Sequence, residues 1–424
     1  MTGRVSHATG PLHILLPTIG SAGDVHPVLE LGRALNRRGH RATVVTNEFF
    51  EQQARDLGLD FIAMGTLHEA EAILHDARLW EHTKAFQLIA ERAIIPNIRR
   101  LYDMVRERHR SNTVVVSSGL CLGAQVAREK LGVPLATLHL QPALLRSLID
   151  SGMQGRVPMG RHTPRFVKRS LFWLLDKLIV DRLLAPPLNS FRAELGLPPV
   201  KRILKNYVHS PQLVLALFPE WFAAHQPDWP PNTYTTGFVM YDAGERQELS
   251  AAVTDFLAAG PPPVVFTPGS AASTLNSFFR ESVEACRITG RRAMLVTNFP
   301  SQLPRDLPPG VQAFGYVPFS KLLPRCAALV YPGGIGTMAQ AIKAGIPHLV
   351  VPYAHDQPDN ALRLTRLGLG CSIYPEQYKA ARVAKLIGEL LGSAEIQRRC
   401  REYATRIDSQ AALEFACDLI EGLG

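Results

Sequence analysis

Paired cysteines, long apolar runs and the common nucleophile and metal motifs are all missing from this chain. Its cysteines (Cys121, Cys286, Cys326, Cys371, Cys400 and Cys417) include no Cys-x-x-Cys pair and no histidine partner at zinc spacing. That scatter argues for a reducing, cytoplasmic setting and against disulfides or structural zinc. No uncharged apolar run is long enough to span a bilayer, and the opening MTGRVSHATGPL has no apolar core of the kind a signal peptide needs. There is no Gly-x-Ser-x-Gly elbow, no Gly-Lys-Ser/Thr phosphate loop and no Asp-x-Asp pair, so neither a metal nor a cofactor is expected. Acidic residues are outnumbered, 37 against 46 Lys plus Arg, for a net charge of +9 that suits an anionic small molecule, an anionic membrane or nucleic acid. The basic residues are not interleaved with aromatics as on an RNA platform, which sets nucleic acid aside.

What is present is a repeated strand–helix grammar. A chain of 424 residues is too long for one ordinary core, so two domains are expected. The first half opens with LHILLPTIGSAGDVHPVLELGRALNRRGHRATVVTN, which reads as strand, glycine-rich turn, helix (Val28, Leu31, Leu35 on one side) and second strand. The same order returns in TVVVSSG followed by LGAQVAREKLGVPLATLHL, and restarts at PPPVVFTPGS, with further strands at RRAMLVTN, VQAFGYV, AALVYPGG and HLVVPY. The expected fold is α/β, with two Rossmann-like doubly wound domains facing each other across a cleft. The expected boundaries are 1–241 for a first domain, 242–259 for a linker and 260–424 for a second domain, whose last helix is a candidate to pack back on the first. In such sheets ligands gather at the carboxyl ends of strands.

Two motifs lie there in the second half. In YPGGIGTMAQ, Gly333, Gly334 and Gly336 would let a ligand approach the backbone, while Thr337 offers an N–H and a hydroxyl at a helix start, as a diphosphate seat requires. A tight turn with glycines for packing alone is the competing reading. After the strand HLVVPY, Asp356 and Gln357 can accept from and donate to vicinal hydroxyls. Alternatively, Asp-Gln is only a helix cap, with Asn360 and Arg363 continuing the helix.

In this order the motifs resemble the family 1 nucleotide-sugar glycosyltransferases, an inverting, metal-independent group of GT-B architecture. That family reads His-Gly-Gly-x-Gly-Thr, Gly-x-Pro and Asp-Gln-x-x-Asn. This chain reads Pro332-Gly-Gly-Ile-Gly-Thr337, Gly345-Ile-Pro347 and Asp356-Gln-Pro-Asp-Asn360. Pro332 replaces the family's phosphate-binding histidine. The resemblance implies that Tyr316 stacks on the nucleotide base beside Val317, where a core tyrosine is the competing reading. It also implies that Gly269 and Ser270 lie near the distal phosphate. In GSAGDVHP it makes Asp24 the general base and His26 the fallback; otherwise Asp24 caps a helix beginning at Pro27.

Residues 160–192, GRHTPRFVKRSLFWLLDKLIVDRLLAPPLNSFR, place Arg165, Lys168 and Arg169 beside a strongly apolar face containing Phe172 and Trp173, the expected acceptor contacts. Such a helix can line an acyl tunnel, touch the inner membrane peripherally, or simply pack on its own domain. The chain is further similar to the bacterial rhamnosyltransferases of mono-rhamnolipid synthesis. That similarity implies a dTDP-L-rhamnose donor and a hydrophobic hydroxylated acceptor such as a 3-(3-hydroxyalkanoyloxy)alkanoic acid. The alternatives are a UDP-glucose enzyme acting on a sterol-like or polyketide acceptor, a nucleotide-sugar epimerase, and a non-catalytic nucleotide-sugar-binding partner.

Overall fold

The computed structural model describes residues 10–81, 84–241, 247–269 and 276–424. They form two compact units: residues up to Val239, apart from 80–82, together with Ser409–Gly424, and the segment Met240–Asp408.

The first unit is built on β1 (His13–Pro17), β2 (Arg41–Thr46), β3 (Asp60–Ala63), β4 (Thr113–Ser118), β5 (Leu135–His139), β8 (Leu213–Ala216) and β9 (Thr233–Thr235), with a small antiparallel hairpin of β6 (Met153–Gln154) and β7 (Val157–Pro158). The large sheet is parallel throughout and runs β3-β2-β1-β4-β5-β8-β9. Ile14, Leu15, Leu16 and Val114 to Val116 are fully buried. Their unbroken apolar runs, rather than an alternating pattern, are what a parallel sheet covered by helices on both faces demands. The helix Ala22–Arg37 buries Val25, Val28, Leu29, Leu31 and Leu35. The C-terminal helix Ser409–Glu421 packs on it, pinned where Arg38 reaches Asp418 at 2.6 Å and His40 reaches Glu421 at 3.0 Å.

The second unit carries β10 (Val264–Phe266), β11 (Ala293–Val296), β12 (Val311–Phe314), β13 (Ala328–Tyr331), β14 (His348–Val350) and β15 (Gly370–Ser372), all parallel, in the order β12-β11-β10-β13-β14-β15. Its core joins Phe266, Leu295, Val330 and Leu349 to Phe278, Phe279 and Val383 from flanking helices. The stretch read as a linker contains the helix Ala251–Ala258, capped by the Ser250 hydroxyl, and belongs to this unit. In each sheet the strand order reverses at one point, between β1 and β4 and between β10 and β13. The turns leaving those strands are therefore where each unit offers a ligand its crevice.

Candidate active site

The turn after β1 leads straight into the helix Ala22–Arg37, which begins five residues before Pro27 because Ser21 and Asp24 form a reciprocal capping box. Asp24 is thus the third helical residue and not the cap. Its Oδ2 accepts from the Ser21 N–H at 2.9 Å and from the Ser21 hydroxyl at 3.3 Å. Gly20, at φ +149°, is needed here, since a Cβ would overlap the Asp24 carboxylate. Burial raises the Asp24 pKa to about 6, against the opposing pull of the two Ser21 hydrogen bonds. With Oδ2 held, Oδ1 is the oxygen that can take a proton, and its basicity is matched to neutral pH. His26 sits edge-on to Phe50, 6.2 Å between ring centroids. Burial lowers its pKa to about 4 even though a Gln53 hydrogen bond favours the charged ring, so it is the weaker base.

In the second unit both turns at the reversal point carry predicted residues. Gly269, at φ +85°, follows β10, and a Cβ placed on it would meet the Pro332 ring after β13 at 3.9 Å; Ser270 lies outside the described residues. Gly333, at φ +100°, has a packing reason to be glycine, because a Cβ would sit 2.6 Å from Val350 Cγ1. Gly334 and Gly336 have none: a Cβ on either meets nothing within 4 Å. Their bareness leaves the start of the helix Ile335–Ala344 open, and Gly334 as N-cap supplies no side-chain acceptor for the first N–H groups. A helix start in that condition, with Thr337 half-buried in its first turn, can bind an anion.

Asp356 precedes the helix Gln357–Leu367 and makes no capping hydrogen bond with its side chain. Its Oδ2 instead accepts from Asn360 Nδ2 at 2.6 Å. Gln357 is buried, and its Oε1 already accepts from the N–H groups of Tyr353 and Ala354 at 2.8 and 3.1 Å. Of its amide, the NH2 is therefore the half suited to a ligand hydroxyl. Tyr316, just past β12, is 57% exposed, whereas the neighbouring Val317 is buried. That is not the core tyrosine of the competing reading.

Residues 14–148 match the Glycosyltransferase family 28 N-terminal domain and residues 294–417 match the Erythromycin biosynthesis protein CIII-like C-terminal domain. The chain is 28% identical to the O-mycaminosyltylonolide 6-deoxyallosyltransferase of Streptomyces fradiae, over 97% of each chain. It is 29% identical to the glycosyltransferase GtfC of Amycolatopsis orientalis, over 85% of this chain and 86% of that one. The chain is a glycosyltransferase with the GT-B fold. The solved glycotransferase of kitacinnamycin shares the fold at a TM-score of 0.75 and 20% identity, over 98% of this chain and 99% of that one. For the spinosyn rhamnosyltransferase SpnG the values are 0.64 and 18%, over 96% and 99%.

In this glycosyltransferase the amphipathic segment is a helix, Arg165–Leu175, running on through a π-turn, Asp176–Val180. Phe172 faces inward under the Arg146 guanidinium, 5.0 Å from the ring centre, while Trp173 is 48% exposed with Lys177 over its ring at 4.8 Å. The two aromatics expected to act together thus point to opposite sides. Lys168 leaves the expected basic edge as well: it is fully buried and donates to the carbonyls of Leu148, at 3.2 Å, and Ile149. Outward lie Phe166, Val167, Trp173, Leu174 and Leu178, with Arg165, Arg169 and Lys177 also exposed. Sequence reasoning gave no place to a recess of about 450 Å³ at the carboxyl ends of β2 and β3, with Val45, Ile62, Met64, Leu101 and Met104 among its lining. Its residues come from several separate elements, among them β2, β3 and the helix Asn97–Arg108, which no local pattern connects.

Proposed function

We propose that this glycosyltransferase moves L-rhamnose from dTDP-L-rhamnose, with inversion, to a hydroxyl of a hydroxyacyl lipid. The observation that carries the donor half is the open helix start at Gly334–Thr337, beside Gly269 and followed by Asp356 and Gln357. The diphosphate is held by the N–H groups of that helix start, the base stacks on exposed Tyr316 beside Val317, and Asp356 with the Gln357 NH2 holds sugar hydroxyls. In the reaction the acceptor oxygen attacks the anomeric carbon, its proton passes to Asp24 Oδ1, and the bond to the diphosphate breaks with its electron pair going to the leaving group. The N–H groups and helix dipole meet the growing charge, a fixed electrostatic contribution that needs no metal. A deoxyhexose donor agrees with relatives named as a 6-deoxyallosyltransferase and a rhamnosyltransferase, the latter solved with thymidine diphosphate.

The lipid half of the reading is supported by the outward apolar face at 166–178 with its basic flank. Among the described residues no helix is long and apolar enough to cross a membrane, so contact with anionic lipid would be peripheral. Trp173→Ala is expected to raise KM for long-chain acceptors far more than for short soluble ones, because each buried methylene is worth about 0.8 kcal/mol. Removing Arg165, Arg169 and Lys177 together should weaken sedimentation with anionic vesicles by roughly 1 kcal/mol per charge, in a salt-sensitive way. Equal effects on all chain lengths and unchanged vesicle binding would reduce the segment to ordinary surface.

A second reading, a polyketide or peptide-antibiotic acceptor, is favoured by relatives such as the vancomycin aglycone glucosyltransferase. The deciding experiment offers purified protein dTDP-L-rhamnose and UDP-glucose, each with a hydroxyacyl acid and a macrolide aglycone, and identifies products by mass spectrometry. A rhamnosylated lipid is the expected product. A glycosylated aglycone with no lipid product selects the second reading.

A further inference from the structure

Asn360 lies in the helix Gln357–Leu367, is fully buried, and sends both protons of its amide to acceptors far apart in the chain. One goes to the Gly333 carbonyl at 3.0 Å, in the glycine-rich turn, and the other to Asp356 Oδ2 at 2.6 Å. Turning the amide over would set its oxygen against two oxygens, so the orientation is fixed by chemistry. The two groups it joins are themselves held in unusual backbone. Gly333 is at φ +100°, and His355, next to Asp356, is at φ 60° although it is not glycine. A side chain in the left-handed region costs roughly 1–2 kcal/mol and persists only where the surroundings over-determine it. Here the first turns of one helix do so: Gln357 clasps the N–H groups of Tyr353 and Ala354, and Asn360 clasps Asp356. Asp356 stands at an N-cap position yet makes no capping bond, its carboxylate being turned to Asn360 instead.

We propose that Asn360 is a positioning residue that locks the Asp356 carboxylate to the turn at Gly333, so that the donor's sugar and its diphosphate are gripped in one register. The inference rests on the donor site proposed above and assigns Asn360 no contact with substrate. Without the link the turn keeps its own supports, the Gly333–Val350 packing and the Met338 N–H bond to the Gly334 carbonyl at 3.0 Å. The loop before the helix likewise keeps the Gln357 bonds to Tyr353 and Ala354 and the Asn360 N–H bond to the Asp356 carbonyl at 3.0 Å, but the Asp356 carboxylate loses the hydrogen bond that ties its aim to the turn. Loss of Asn360 should therefore damage sugar reading more than diphosphate binding.

The test uses Asn360→Asp, which keeps the shape and removes both donors, and Asn360→Ser, which keeps one smaller donor should the first variant fold poorly. Calorimetry with thymidine diphosphate and with dTDP-L-rhamnose is run on each folded protein, and the ratio of the two affinities is read, since partial unfolding lowers both alike. The expected result is a loss for the intact donor at least about tenfold greater than for the diphosphate, the scale of one hydrogen bond to a charged group, with Ser intermediate. In an Asp356→Ala background, Asn360→Ser should add less than about twofold, because the two residues act as a unit. Equal losses for both ligands, or a fully additive double variant, overturn the role of Asn360 alone. A wild-type protein that binds neither ligand overturns the donor-site reading itself.

Discussion

Asp24→Asn is expected to lower turnover by roughly a hundredfold or more while donor affinity stays unchanged, the scale of losing a general base. The pH profile makes the test specific. Burial holds the Asp24 pKa at about 6, so wild-type kcat/KM should rise about tenfold per pH unit below 6 and level off above it. His26 acting as base would put that limb near 4 instead. The residual activity of Asp24→Asn should show no limb near 6. Stability separates lost chemistry from misfolding. A carboxyl whose pKa is raised on folding contributes stability in its protonated form, and that contribution is lost as pH rises through about 6. Asparagine mimics the protonated state and still accepts from Ser21, so the variant should melt at or slightly above wild type at neutral pH. Because Asp24 is only half-buried the gain is small. Turnover within about threefold of wild type would remove Asp24 from the mechanism and bring His26 forward.

Much of this site was legible in the sequence because it is written locally. The apolar runs of β1, β4, β10 and β13 mark buried parallel strands, and the turns after them carry Asp24, Gly269 and Gly333 to Thr337 in contiguous motifs. Where sequence reasoning went astray, the deciding contact is distant or the pattern degenerate. Proline's preference for the first helical turn suggested the competing reading of a helix start at Pro27, and the Ser21–Asp24 capping box sets the start at Ala22 instead. Residues 166 and 171–175 are apolar in nearly every direction around the helix, so periodicity could not choose between Phe172 and Trp173 for the inner face. Lys168 reads as a surface cation until the carbonyls of Leu148 and Ile149 are seen above it, about twenty residues away. Asn360 reads as helix filler for the same reason: its partner Gly333 is 27 residues distant.

The fold itself should lose stability in mild acid, and four histidines give the reason. His26 and His209 are held at about 4, His348 at about 3, and His139 well below its ordinary value, each chiefly by burial. His139 and His209 share a hydrogen bond of 2.9 Å between ring nitrogens, and His348 accepts or donates one of 3.0 Å with the Tyr331 hydroxyl. The native state keeps these rings neutral while the unfolded chain protonates them near 6.5. Stability is therefore complete above about 6.5 and falls as pH drops from there toward 4. At pH 5 each such ring costs on the order of 2 kcal/mol, and counting the His139–His209 pair as one gives on the order of 4 kcal/mol in the first unit and 2 kcal/mol in the second, a sizeable part of the roughly 5–15 kcal/mol of a typical domain. Denaturation followed by circular dichroism should accordingly show a midpoint that slides steeply between pH 6.5 and 5. His348→Gln, whose amide can still bond Tyr331, should flatten that slope for the second unit, and a slope unchanged in this variant would remove His348 from the account. The two acid effects are separable in one experiment. Protonation of Asp24 silences the enzyme with the spectrum intact and reverses at once on return to neutral pH, whereas protonation of the buried histidines takes the spectrum with it.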